Sequence, residues 1–254
     1  MAAPHVVWSV LFILAPLAFV FYYAFTDKTG AFTLNNVKEL GSANYLDIFT
    51  RSLCFALAAT AICLLVAYPL AYAISRAKPR SQKICIMLTM LPMWMNFLIR
   101  TYSIMAILED TGFLNSLLGR IGLPPLHIIN TGGAVIFGMV YNYLPYMVLP
   151  IYTVLSKLDN RLLEASADLG CTPMQTFFKV VMPLSRSGVV SGVTMVFVPS
   201  VSTFYISQKL GGGKFQLIGD VIERQFQSAY NYLPYMVLPI YTVLSKLDNR
   251  LLEA

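Results

Sequence analysis

Long apolar runs without charge restrict the fold of this sequence more than any other feature. Four such runs carry no charged residue at all, at Val6–Phe25, Ser52–Ser75, Ala134–Ser156 and Gly188–Ser207. A fifth, Ile84–Leu108, is interrupted only by Arg100, and a sixth, Tyr230–Ser245, is the shortest. Because a helix needs about 20 apolar residues to cross the hydrocarbon core of a bilayer, the sequence predicts an all-α polytopic membrane protein with about six transmembrane helices.

The composition excludes several other classes of protein. Charged residues make up 12% of the 254 residues, against about 25% in soluble globular domains, so a water-soluble enzyme, a disordered chain and a small disulfide scaffold are excluded. The four cysteines show no CxxC spacing, and His5 and His127 are too far apart to suggest a metal site. Lys214 follows three glycines but precedes Phe215, so this is no phosphate-binding loop. We therefore predict no catalytic residue, metal or cofactor, and place any ATPase on a separate polypeptide.

The distribution of basic residues predicts the orientation in the membrane. Loops 76–83, 157–187 and 246–254 carry Lys and Arg at a clearly higher density than loops 27–51, 109–133 and 208–229. Because short cytoplasmic loops are enriched in Lys and Arg, the N-terminus is predicted to be cytoplasmic. No basic residue precedes the first apolar run, which favours an uncleaved first helix over a signal peptide. The basic loop 76–83 is interpreted as a membrane anchor rather than a nucleic-acid patch.

The last 25 residues repeat an internal segment of the chain. Tyr141–Ala165 and Tyr230–Ala254 are identical at every position, whereas evolved repeats in transporters are diverged. The second copy is interpreted as a recent copying event or a join error. The predicted organisation is a membrane domain at residues 1–229, with five reliable spans and a cytoplasmic loop at 157–187, followed by a tail at 230–254 in place of the native last span.

The cytoplasmic loop carries the most specific local signals. An apolar or small stripe at helical spacing predicts a first short helix, formed by Leu162, Ala165, Ser166 and Leu169. Gly170 would end it. Thr172, with Pro173 at the first helical position and Gln175 three residues after Thr172, predicts a capping box and a second helix. The second helix presents Phe177, Phe178 and Val181, and Pro183 is expected to end it. The result is a helix–turn–helix elbow beneath the membrane.

This elbow resembles the EAA loop of permease subunits in binding-protein-dependent ABC importers. The family pattern is Glu-Ala-Ala, three residues, Gly, nine residues and Ile-x-Leu-Pro; here it reads Glu164-Ala-Ser, Gly170 and Val180-x-Met-Pro183 at the same spacing. The resemblance implies a type I importer permease fold whose elbow docks on a cytoplasmic ATPase. The positions it implies in coupling to the ATPase are Glu164, Ala165, Ser166, Asp168, Gly170, Thr172 and Pro183.

Several short segments spread along the chain resemble, within that family, the permeases of polyamine importers. Segments 91–102, 139–150, 210–214, 218–220 and 225–226 resemble the first permease subunit of spermidine/putrescine systems, over about residues 6–229. This resemblance implies ATP-driven import of polyamines by alternating access across a bacterial inner membrane. The implied partners are a second permease, a dimer of ATPase subunits, a periplasmic binding protein and the lipid bilayer; no nucleic acid is expected.

Polar residues inside the spans are candidates for the translocation pathway. A charge inside a span is costly and faces protein or water, so Arg100 is either a pore-lining or gate residue, or snorkels or pairs locally. The other candidates are Asn96, Tyr141, Asn142, Tyr143 and Tyr146. Tyrosine rings attract ammonium groups, although interhelical hydrogen bonding explains the same residues.

Three alternatives remain open at the level of the whole protein. These are an ABC importer for another small solute, an inactive truncated or chimeric permease, and an ion-coupled secondary transporter. The last is disfavoured, because acidic residues are expected inside the spans of such a transporter and the five longer spans contain none.

Overall fold

The structure, a computed structural model, describes residues 3–26, 32–34, 38, 41–225 and 227. In this part of the chain helices dominate, and the one β pairing is an isolated bridge between Thr26 and Phe32. The chain divides into two compact units, Met1–Thr50 and Arg51–Ala254.

The first unit begins with three consecutive helical segments. Helix α1 (Ala3–Ser9) continues through a π-helical segment, Val10–Leu14, into α2 (Ala15–Ala24). These segments contain nearly all of the predicted first span. Many of their large apolar side chains are more than half exposed, which suits a helix surrounded by lipid hydrocarbon better than one surrounded by water.

From Ala43 onward the chain is a succession of helices. They are α3 (Ala43–Arg76), α4 (Pro79–Trp94), α5 (Phe97–Leu108), α6 (Phe113–Arg120), α7 (Gly132–Leu155), α8 (Asn160–Asp168), α9 (Pro173–Thr176), a π-helical turn (Phe177–Val181), α10 (Met182–Leu184), α11 (Arg186–Val201) and α12 (Tyr205–Leu210). Residues 218–225 are also helical.

Two of the described helices, α3 and α7, are each long and apolar enough to cross a membrane. They contain the second predicted span and all but the last residue of the fourth, which are confirmed as continuous helices. Two bent pairs pass the same test when each is treated as one broken span, so the described residues provide up to four candidates. The sixth predicted span and the copied tail at 230–254 lie outside the described residues.

The third predicted span, Ile84–Leu108, is wrong as a single helix. Helix α4 ends at Trp94 and α5 begins at Phe97. The direction of the chain changes by 95° between Pro79–Trp94 and Phe97–Arg120. Pro92 has no N–H to continue the helical ladder, and Met95 adopts an extended conformation. Asn96 then starts the new helix, because its side chain accepts a hydrogen bond of 2.8 Å from the N–H of Leu98.

The fifth predicted span, Gly188–Ser207, is also shorter than expected. Helix α11 ends at Val201, and α12 begins only at Tyr205. The Ser202 hydroxyl lies 3.3 Å from the Val198 carbonyl and 3.4 Å from the Pro199 carbonyl. Tyr143 donates to the same Pro199 carbonyl at 3.4 Å. Side chains therefore satisfy the last carbonyls of α11, and the helix ends before the apolar run does.

Helices α7 and α11 pack with unusually close backbones. Gly188 and Gly192, one helical turn apart, are buried in α11 and face α7. A Cβ atom on Gly188 would lie 2.9 Å from the Pro150 carbonyl oxygen, and one on Gly192 would lie 2.7 Å from the Met147 sulfur. Small residues four apart allow such an approach in membrane proteins, where close van der Waals packing replaces the hydrophobic effect between helices.

The basic loop between α3 and α4 is fixed by Gln82. Its Nε2 donates to the carbonyls of Ser75 at 3.0 Å and Ala77 at 2.9 Å. These bonds supply partners at the end of α3, where helical carbonyls have none of their own. The Tyr152 hydroxyl donates to Gln82 Oε1 at 3.2 Å, which ties the loop to α7.

Candidate functional site

The first turn of the predicted elbow forms as the sequence indicates. Helix α8 begins at an Asp159 cap and ends before Gly170, whose φ of +80° is the left-handed conformation that glycine adopts readily. The N–H of Gly170 bonds to the Ala167 carbonyl at 2.9 Å, and the N–H of Cys171 bonds to the Ser166 carbonyl at 3.0 Å. These two bonds form a Schellman motif, the ordinary helix stop with glycine.

The second helix of the elbow begins with the predicted capping box. The Thr172 side chain accepts from the N–H of Gln175, and the Gln175 side chain accepts from the N–H of Thr172 at 2.9 Å. Across the turn, the hydroxyls of Ser166 and Thr176 are 2.9 Å apart. This contact joins the two helices, so the elbow has a defined angle.

The second helix ends at Leu184, one residue after Pro183 and close to the predicted end. After α9 the chain makes a π-helical turn at Phe177–Val181 and continues as α10 through Pro183 to Leu184. The wider turn carries a hydrogen bond from the N–H of Met182 to the Phe177 carbonyl. Proline cannot donate to the preceding turn, and a π-helical turn absorbs such an irregularity without ending the helix. The bend of 66° comes after Leu184, between this segment and α11.

The elbow is anchored to helix α3 by an aromatic contact. The Phe177 ring packs edge-on against Tyr68 at 5.5 Å and Tyr72 at 5.4 Å between ring centroids. The Tyr68 and Ser185 hydroxyls are 2.6 Å apart, and Val181 is fully buried in the same apolar cluster. The sequence analysis missed Tyr68, Tyr72 and Ser185. The available signal was the pair of tyrosines four residues apart near one end of a predicted span.

The elbow also presents exposed apolar side chains as a surface. Its members, here called the elbow surface, are Leu162, Leu169, Met174, Phe178 and Met182. Leu169 is 84% exposed, although the stripe to which it belongs was predicted from apolar spacing. Glu164, Ala165 and Asp168 are exposed beside it, and only Ser166 of that segment is buried. Of the predicted coupling positions, the charged ones are therefore exposed, whereas Ser166 joins the two helices of the elbow through its contact with the Thr176 hydroxyl.

Arg100 lies at the inside of the bend between α4 and α5. It is 6% exposed, and its Nη1 donates to the Pro92 carbonyl at 2.9 Å. Its guanidinium carbon lies 5.8 Å from the centre of the Phe97 ring. A cation at the carboxyl end of a helix is favoured by the helix dipole, so Arg100 stabilises the bend.

The other predicted pathway residues fall into separate places. Tyr141 shares a cavity of about 430 Å³ with Arg100, together with Ile104 and Phe137. Asn142 is fully buried and donates to the Gly138 carbonyl at 2.8 Å. Tyr143 packs 6.4 Å from the partly exposed Tyr146, and Asn96 caps α5. The structure thus brings Arg100 and Tyr141 together, and the pathway role of all six stays a prediction.

A buried carboxylate fixes the segment after α12. Asp220 is 4% exposed and accepts from the Ser207 hydroxyl at 2.8 and 2.9 Å and from the N–H of Leu217 at 2.9 Å. The N–H of Ile218 donates to the Ser52 hydroxyl at 2.8 Å. Burial raises the pKa of Asp220 above its usual value, although the bonds from Leu217 and Ser207 act in the opposite direction.

The raised pKa of Asp220 predicts a pH dependence of this loop. The folded loop favours the protonated acid, so its stability is greatest at low pH and falls as the pH rises above the ordinary value for Asp, by about 1.4 kcal/mol for each unit of raised pKa. We expect hydrogen exchange at residues 211–220, corrected for intrinsic rates, to show protection that falls from pH 4 to pH 7. Asp220→Asn should abolish this dependence. Glu223→Gln, a change at a more exposed acid of the same helix, should keep it; equal slopes in both variants would contradict the prediction.

A family model matches almost the whole chain. The family described as "binding-protein-dependent transport system inner membrane component" matches residues 1–247. The chain belongs to this family. It is therefore a multi-pass inner-membrane permease subunit of a transport system, and the family suggested by the sequence of the elbow is confirmed.

Individual relatives of the permease agree with this assignment. The spermidine/putrescine transport system permease protein PotB of Haemophilus influenzae is 36% identical over 266 residues, which cover 97% of this chain and 93% of that protein. The PotB protein of Escherichia coli K12 is 38% identical over 227 residues, which cover 86% of this chain and 82% of that protein. The resemblance to this group seen in the sequence is thereby confirmed.

Solved structures agree on the fold. A chain in the crystal structure of a bacterial alginate ABC transporter, in complex with alginate pentasaccharide-bound periplasmic protein, superposes with a TM-score of 0.70. The identity is 15%, over 91% of this chain and 83% of that chain. At this identity the likeness concerns the fold alone, and it confirms the predicted all-α permease architecture.

Proposed function

We propose that this permease moves polyamines from the periplasm to the cytoplasm as one membrane subunit of an ATP-driven importer. The observation that carries the proposal is the identity of 36–38% to permeases named for spermidine and putrescine transport, over most of both chains. The proposed partners are a second permease, a dimer of ATPase subunits and a periplasmic binding protein. The N-terminus is proposed to be cytoplasmic, which places the elbow on the side where ATP is available.

The elbow is proposed as the contact through which ATP drives transport. Its exposed apolar surface offers an ATPase subunit a patch to bury, and buried apolar anchors supply most of the energy of such interfaces. The Phe177 contact with α3 and the continuation into α11 then carry a displacement of the elbow into two spans. Alternating access follows if the ATP-bound and nucleotide-free ATPase dimers prefer different arrangements of the elbow, because only a difference in affinity shifts a conformational equilibrium.

Cargo is tested by uptake in cells that lack their own polyamine importers. Cells carrying the genes for the complete transporter should accumulate labelled putrescine or spermidine, and cells in which this permease gene is deleted should not. Uptake of neither polyamine, by a complex that assembles and hydrolyses ATP, would overturn the proposal and favour another small solute.

Leu169→Glu tests the docking role of the elbow surface. The substitution places a charge on an apolar side chain that is 84% exposed, so the free permease should fold normally. Burying that charge against an ATPase subunit is costly, and we expect co-purification of the ATPase to fall at least tenfold, or about 1.4 kcal/mol. Uptake should fall with it.

Leu123→Glu is the matched control for this test. Leu123 is 51% exposed and belongs to the loop between α6 and α7, which is proposed to face the periplasm. The control should leave ATPase association unchanged. Equal association of the ATPase with the wild type and with Leu169→Glu would remove the elbow surface from the docking contact.

A further inference from the structure

A lysine side chain lies against a pair of tyrosine rings in this permease. Lys209 of α12 places its Nζ 5.3 Å from the centre of the Tyr102 ring and 5.8 Å from that of Tyr205. The two rings meet edge-on, 6.0 Å apart and at 84°. Phe97 adds a third ring, 5.9 Å from Tyr205. Phe97, Tyr102 and Tyr205 are here called the aromatic cage.

The chemistry of this cage suits one class of ligand. Aromatic faces attract cations through the ring quadrupole, and sets of such rings recognise alkylammonium ligands. The lysine side chain is a flexible stem of four carbons that ends in an ammonium group. A diaminoalkane such as putrescine has the same four-carbon chain with an ammonium at each end. The Lys209 side chain therefore has the same chemical structure as one end of putrescine, and it lies against the rings of the cage.

The cage is accessible and its lysine can be displaced. Tyr102 is 44% exposed, and Lys209 and Tyr205 are partly exposed. Among the residues that the structure describes, Lys209 forms no ion pair with a carboxylate, and its hydrogen bond to the Tyr102 hydroxyl is one that an incoming ammonium can replace. Arg100 also contacts Phe97, but it is buried and bonded to the Pro92 carbonyl. Of these two cations, only Lys209 is placed to leave the cage to an incoming ammonium.

We infer that the aromatic cage binds a terminal alkylammonium of the cargo during transfer, and that Lys209 occupies the cage as an internal substitute when cargo is absent. This inference rests on the proposed polyamine function, since the cargo must be an alkylammonium. In this inference Tyr102 and Tyr205 contact the cargo directly, and Lys209 competes with the cargo for the same rings. A ligand that displaces Lys209 must resemble it, so the cage favours an ammonium at the end of an unbranched chain.

The test uses the complete transporter in lipid nanodiscs with a putrescine derivative that carries a photoreactive diazirine. Irradiation in the presence of the derivative, followed by peptide mapping, reports cross-links at Tyr102 or Tyr205.

The Tyr102→Leu/Tyr205→Leu double variant should lose these cross-links and lower putrescine uptake about five- to tenfold, while ATPase activity stimulated by the binding protein stays at the wild-type level. Tyr102→Phe/Tyr205→Phe keeps the rings and should restore uptake. Lys209→Met removes the competitor and should raise the cross-linking yield severalfold.

Tyr22→Leu, at an exposed tyrosine of α2, is the control for loss of a ring elsewhere. Wild-type cross-linking and uptake in the double leucine variant would overturn the inference. A loss of stimulated ATPase activity in the double leucine variant would indicate a structural role for the rings and would also contradict the inference. An unchanged cross-linking yield in Lys209→Met would contradict the role of Lys209. If the wild type itself takes up no polyamine, the proposed function fails, and the inference fails with it; all the other results leave the proposed function intact.

Discussion

Replacing Gly188 by valine is expected to abolish the accumulation of folded permease. A Cβ atom at this position would lie 2.9 Å from the Pro150 carbonyl oxygen and 3.1 Å from the Ile151 Cα. Both obstacles are backbone atoms of α7, so no side-chain movement can relieve the contact. Overpacking of a core costs about 1–3 kcal/mol when neighbours can adjust, and here we expect the upper end of that range or more. The measurement is the amount of monodisperse permease extracted from membranes, with uptake alongside.

Gly119→Val is the matched control for that substitution. Gly119 is also a helical glycine, in α6, but a Cβ atom there meets no neighbouring atom of the described residues within 4 Å. The control should accumulate like the wild type. If Gly188→Val also accumulates and transports normally, α7 and α11 do not pack as closely as described.

Gly170→Val is expected to separate the permease from the proposed ATPase subunit without unfolding the membrane domain. Gly170 has a φ of +80°, and the space around it is open, so the effect comes from the backbone alone. A β-branched residue held in the left-handed region costs about 1–3 kcal/mol. The Schellman stop of α8 should therefore be lost, and with it the angle between α8 and α9. We expect normal extraction of the permease, at least tenfold less co-purified ATPase and little uptake.

Gly170→Asn distinguishes backbone strain from any other effect at this position. Asparagine tolerates the left-handed conformation far better than valine, and the open space accommodates its side chain. Assembly and uptake should therefore largely recover. Equal losses in the asparagine and valine variants would mean that the elbow requires glycine for a reason other than its backbone conformation.

The features that could be predicted from the sequence are those that depend on neighbouring residues. Two uncharged runs become α3 and α7 because apolar length alone decides a membrane span. The turn at Gly170 and the capping box at Thr172 also form as predicted, because their hydrogen bonds join residues at most five apart. The spacing around Glu164 was sufficient to indicate the family.

The features that escaped prediction depend on contacts between distant parts of the chain. Tyr68 and Ser185 are 117 residues apart, and no local pattern pairs them. The bend between α4 and α5 required knowing that Arg100 would return to the Pro92 carbonyl. Lys209 was assigned to the loop at 208–229, because the apolar run ends at Ser207. Its contact with Tyr102 joins α12 to the distant helix α5.

The close approach of α7 and α11 has a consequence for how such a subunit changes shape. With Gly188 and Gly192 held against the backbone of the neighbouring helix, neither helix can slide or rotate on the other without a clash. The two helices therefore travel together as a single rigid lever, with the elbow at one end. We expect hinges where the regular helix is already interrupted, such as residues 95–96 and 202–204 and the bend after Leu184.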